Sequence, residues 1–136
     1  MRVAPPTTTP DGTIKDCRRF TGSLSSVTTA RRFVAEALVH VPKPLLEAVE
    51  LMVSELASNC VMHAEAEFEV CIVRSAGALR VEVTDSGSGE PVLKHPDAND
   101  LRGRGLVIVK ELADDWGVVR RAGQRGKMVW FAVRGT

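Results

Sequence analysis

The sequence contains no tyrosine, and only two tryptophans and four phenylalanines among its 136 residues. So few aromatic faces argue against a platform for single-stranded nucleic acid, which needs rings on which bases can stack. An excess of one charge is missing too: 18 Lys and Arg stand against 17 Asp and Glu, for a formal net charge of +1. Neither a nucleic-acid backbone nor an anionic membrane is therefore the expected partner. No stretch approaches the roughly 20 apolar residues of a membrane span. Pro5, Pro6 and Pro10, among a run of threonines, occupy the place where a signal peptide carries its apolar segment. Cys17, Cys60 and Cys71 form an odd set without CxxC or Cys/His ligand spacing, which reads as free thiols in a reducing compartment. A cytoplasmic protein is the expectation.

What is present fits one domain, long enough to bury a core without disulfides or a structural metal. Residues 1–14 have too little apolar content to pack and are expected to form a disordered lead-in, leaving 15–136 as the domain. A short strand is predicted over 17–21, ending at Gly22, with Ser23, Ser25 and Ser26 as candidate helix N-caps. Val27, Ala30, Val34, Ala37, Leu38 and Val41 then keep helical spacing up to the Pro42-Lys43-Pro44 break. Pro44 suits the first turn of a second helix, in which Leu45, Val49, Met52, Val53, Leu56 and Cys60 share one arc. Beyond Ala64 the period changes from helical to two. Phe68, Val70 and Ile72, then Leu79, Val81 and Val83, mark the buried face of a hairpin that turns at 75–77. Residues 90–102 show no periodicity and read as a lid-like loop. A short helix is predicted over 106–113, then strands over 116–121 and 128–134 about the turn 123–126. Trp116 and Trp130 are expected in the core.

Three groups of polar residues stand out against this pattern. Glu55 and Asn59 lie one helical turn apart at the border of the apolar arc, with His63 a turn further on, so they should face a cleft edge. Asp85 continues the inward phase of Leu79, Val81 and Val83, and a charge aimed at a core needs a partner; an Asx turn closing the strand before Ser86-Gly87-Ser88-Gly89 is the other reading. Gly103-Arg104-Gly105 directly precedes the predicted short helix, where glycines admit close approach and unpaired N–H groups attract an anion. His63 either faces that ligand or finishes the helix as a cationic C-terminal residue.

Taken together, the order and spacing resemble the GHKL, or Bergerat-fold, ATP-binding superfamily, and within it the small bacterial anti-sigma-factor serine kinases. The likeness is carried by Glu55-Leu56-Ala57-Ser58-Asn59, His63, Asp85, Gly103-Arg104-Gly105-Leu106 and Gly126-Lys127-Met128-Val129-Trp130-Phe131. The resemblance implies an α/β two-layer sandwich, with a mixed, mostly antiparallel sheet and three helices on one face. It implies ATP and Mg²⁺ as cofactors, with Asn59 as the metal ligand and Glu55 as the catalytic base. Asp85 would accept from the adenine amine, Gly87 and Gly89 would line the base pocket, and Gly103, Arg104, Gly105 and Leu106 would meet the phosphates. The implied activity is serine/threonine phosphorylation of an anti-anti-sigma protein of the STAS type by a homodimeric anti-sigma factor that also binds a sigma factor. A nucleotide-gated module that sequesters a partner without phosphotransfer is the alternative. The resemblance leaves the role of Lys127 open. No phosphoacceptor-histidine helix is present, which sets the chain apart from a complete histidine kinase.

Overall fold

The structure is a computed structural model, and it describes residues 6–64, 67–86, 101–120 and 126–134. Its centre is the hairpin of β3 (Phe68–Ser75) and β4 (Ala78–Asp85). Gly77 sits in the turn at φ 71°, a conformation that costs glycine little. β2 (Ile14–Phe20) flanks β3, and β6 (Met128–Arg134) flanks β4. The edges are β1 (Thr7–Thr8) and β5 (Asp115–Val119), giving the order β1-β2-β3-β4-β6-β5. Every strand pairing among the described residues is antiparallel, so the mixed character expected of the sheet is absent from them. β1 also corrects the expected lead-in: Thr7 and Thr8 pair with Lys15 and Ile14 across a turn that holds Gly12 at φ 87°.

Period-two patterning puts Phe20, Phe68, Val70, Ile72, Leu79, Val81, Val83, Val129, Phe131 and Val133 on one face of the sheet. Helices α1 (Ser25–Ala37), α2 (Lys43–Asn59) and α3 (Leu101–Leu112) cover that face, making a two-layer α+β sandwich. Ala30, Phe33, Val34, Leu38, Val49, Met52, Val53, Leu56, Ala57, Cys60, Val61 and Val109 complete the core. The helical arc read from the sequence is thus the arc that is buried. Phe20 stacks on Phe68 with ring centroids 5.2 Å apart and meets Phe33 at 6.2 Å, tying β2, β3 and α1 together.

Helix ends depart from expectation. The N-cap of α1 is Leu24, without a side-chain cap; Ser23 instead accepts the Ser26 N–H through its carbonyl, and their hydroxyls join Thr21 in a small cluster. Pro42 caps α2, and a proline in its first turn loses no helical hydrogen bond. After Asn59 the helix widens into a π-helical turn, Cys60–Ala64, a feature often found where a helix serves a site. α3 starts earlier than expected, so Gly103, Arg104 and Gly105 lie inside its first turns rather than before it.

Among the described residues no helix lies over the opposite face of the sheet. Trp130 lies there and not in the core, covering Gly117 of β5 and receiving the Arg80 guanidinium 4.2 Å from its ring centroid. A Cβ at Gly117 would stand 2.6 Å from Trp130 Nε1, so only glycine fits beneath the indole. Trp116, on the edge strand, is 36% exposed, so neither tryptophan is the core residue expected.

Candidate functional site

α2 sets the site. Asn59 falls on its last helical turn, buried to 9% exposure, and Glu55 is half-buried one turn before it. The buried carboxamide oxygen of Asn59 finds no hydrogen-bond partner among the described residues. An oxygen in that condition costs roughly 1 to 3 kcal/mol, which a ligand that coordinates it would recover.

α3 closes against this pair at Gly105. A Cβ there would meet Asn59 Nδ2 at 2.6 Å and Glu55 Cβ at 3.7 Å, so the glycine is what lets the two helices approach. This explains why a helix accepts glycine at that point: the propensity cost of about 1 kcal/mol is offset by packing that alanine would obstruct. Leu106 follows, partly buried against the core. Gly103 and Arg104 lie on the helix backbone at its N-terminal end, where the first four N–H groups have no intrahelical acceptor.

Asp85 ends β4 opposite Phe68, on the helix-facing side of the sheet, as its phase requires. Its N–H donates to the Lys127 carbonyl at 3.1 Å, which brings the segment before β6 to the same corner. Cys60, the residue after Asn59, connects the two halves of the site. Burial pushes its thiol up to about 12; the Asp85 carboxylate adds to the rise and Lys127 opposes it. Asn59, Cys60, Asp85 and Lys127 therefore share one region, and Glu55 and Gly105 adjoin it through Asn59. Lys127, given no role from the sequence, belongs to this group. Only a contact across strands reveals it, so no local spacing signals its place.

Gly87, Gly89 and residues 90–100 of the expected lid lie outside the described residues, as do the side chains of His63 and Arg104. A cleft of about 220 Å³ opens at the end of β3 and β4, lined by Arg19, Glu67, Phe68, Glu69, Thr84, Asp85 and Ser86. It is smaller than the roughly 300 to 1,000 Å³ of a small-molecule site, and it meets the region just described at Asp85, not at Asn59 or Glu55.

Residues 20–133 match the family described as Histidine kinase-like ATPase domain. The chain belongs to that family. As a histidine kinase-like ATPase domain it has a nucleotide as its implied ligand. Its fold is similar to that in the crystal structure of the RsbU and RsbW domains of Rv1364c from Mycobacterium tuberculosis, with a TM-score of 0.68 at 16% identity. That match covers 88% of this ATPase domain and 31% of the other chain. No curated protein matches the chain.

The cysteines need a correction. Cys17 and Cys71 are joined in a disulfide, not free, because β2 and β3 place them directly opposite each other with Cα atoms 4.0 Å apart. Their separation of 54 residues hid the pairing from spacing rules. Cys60 alone is free, and it is buried. The thiol argument for a reducing compartment therefore does not extend to the bonded pair. No helix among the described residues is long and apolar enough to cross a membrane.

Proposed function

We propose that this ATPase domain is a Mg²⁺-ATP-dependent serine/threonine kinase that acts as an anti-sigma factor. In this reading it binds a sigma factor and is switched by phosphorylating an anti-anti-sigma protein of the STAS type. The observation that carries it is the buried Asn59 oxygen, without a partner among the described residues, on a side chain whose Nδ2 faces Gly105 and which lies one turn from Glu55. Mg²⁺ takes oxygen ligands and keeps several from phosphate and water, so one carboxamide oxygen fits it as the protein's share. Asn59 would hold it, and bound there it would neutralise phosphate charge. Glu55 stands beside Asn59 on the same helix, placed to accept the proton of an attacking serine hydroxyl. Asp85 offers a carboxylate acceptor to the adenine amine, and the start of α3 at Gly103 and Arg104 offers its backbone to the phosphates, with Gly105 leaving room for their approach. The same reading makes the protein a cytoplasmic homodimer that works where ATP is available.

Labelled ATP, Mg²⁺ and STAS-type proteins encoded by the same organism test it directly. Phosphoserine or phosphothreonine on one of those proteins is the expected result. Nucleotide-dependent capture of a partner with no transfer to any of them would contradict it, and would mark the protein as a nucleotide-gated binding module.

A further inference from the structure

The open face of the sheet holds a second cluster, away from Asn59 and Glu55. Cys17 on β2 and Cys71 on β3 project there, since the alternate residues Val70 and Ile72 fill the core. Glu69, two residues before Cys71 and so on the same face, puts a carboxylate oxygen 3.5 Å from Cys71 Sγ. One ligand atom from each of Cys17, Glu69 and Cys71 lies within 4.8 Å of the others. Cys71 is buried at 4% exposure, while Cys17 is half-buried, which leaves one side of the cluster open.

In the disulfide the sulfurs carry no proton for the Glu69 carboxylate to accept, and its neighbour across the strands is Arg19. The reduced pair is different: two thiolates and a carboxylate are three ligands suited to a tetrahedral zinc-like ion, with water at the open fourth position. Lys15 and Arg19 flank Cys17 on the same face, each paired with a carboxylate, Lys15 with Glu82 at 3.7 Å and Arg19 with Glu67 at 3.6 Å.

We propose that Cys17, Cys71 and Glu69 form a redox-gated site for a divalent cation of the zinc class on the open face of the sheet. Closed as a disulfide, the site has no metal-binding thiolates. A small dithiol or two monothiols reduce it: the S–S bond breaks, Cys17 and Cys71 each take up a proton, and the reductant leaves as its own disulfide. The cation then replaces the two thiol protons, forming two metal–sulfur bonds and releasing two protons to solvent.

Cobalt(II) is the probe, because tetrahedral thiolate ligation gives it visible d–d bands and a near-ultraviolet charge-transfer band. The full chain, reduced with a phosphine and freed of it without air, should develop both bands and saturate at one equivalent. Oxidised protein of the same sequence should develop neither, a comparison that requires no variant to fold. Cys17→Ser should lose the charge-transfer band at one equivalent, Cys60→Ala should titrate like the parent, and Glu69→Gln should bind about tenfold or more weakly. The proposal is overturned if the reduced parent gives no thiolate band, or if the band survives in the oxidised protein or in Cys17→Ser. Unchanged affinity in Glu69→Gln would overturn the three-ligand set.

Discussion

At the scale of single residues, the candidate site gathers polar groups at the edge of the core. Asp85, half-buried, follows three inward valine and leucine positions and arrives near Cys60 of the π-helical turn with a carboxylate acceptor. Asp85→Asn exchanges that acceptor for an amide of nearly the same shape. Nucleotide affinity should fall roughly ten- to a hundredfold, as for loss of a charged hydrogen bond worth about 1.5 to 3 kcal/mol. Isothermal titration with ATP or ADP measures it, and unchanged affinity in a folded Asp85→Asn protein would remove Asp85 from the adenine pocket. Cys60 offers a second check. With its thiol pushed from 9.0 to about 12, it should resist maleimide at pH 8 in the native state and react once the chain is unfolded. The sign for stability follows from the raised value: the contribution is complete below the unfolded pKa and is lost as the pH rises from about 9 towards 12. Rapid native labelling of Cys60 at pH 8 would show that the corner is open.

At the scale of elements, the site exists because α3 can press against α2. Gly105→Ala sets two effects in opposition: alanine favours the helix by about 1 kcal/mol, but its Cβ would stand 2.6 Å from Asn59 Nδ2. Asn59 is buried and has little room to yield. The variant should stay folded, with a melting temperature within a few degrees of the parent, while nucleotide affinity drops about tenfold or more through the displaced carboxamide. Parental affinity would show that the contact does not serve the site. The same contact shows where sequence reading stopped. Alternation in 68–85 and the apolar arc of α2 announced the hairpin and the buried helix face, because each follows a local period. Gly103-Arg104-Gly105 drew attention as a loop before a helix, yet it lies within the helix, since tertiary packing outweighed the propensity of glycine. The Cys17–Cys71 bond and the placement of Lys127 depend on strand register across many residues, which no local pattern carries.

At the scale of the whole molecule, one sheet serves two unlike faces. The helix-covered face supplies the core and carries Asp85 to the corner shared with Cys60 and Lys127, while the open face carries charge, Trp130 and the cysteine pair. Closing a loop of 54 residues, the disulfide adds about 4 kcal/mol by restricting the unfolded chain. The order of the motifs along the chain was legible, and with it the two-layer architecture and the position of Glu55 and Asn59 one turn apart on α2. The central claim concerns what that pair does. Glu55→Gln keeps the shape and hydrogen-bonding capacity of the side chain and removes only the base. The decisive measurement compares ATP affinity and phosphoryl transfer to a STAS-type protein in the parent and in Glu55→Gln. Affinity should be retained while transfer falls by 10²- to 10⁴-fold, roughly 3 to 5 kcal/mol of barrier. Transfer at the parental rate by Glu55→Gln would contradict the account.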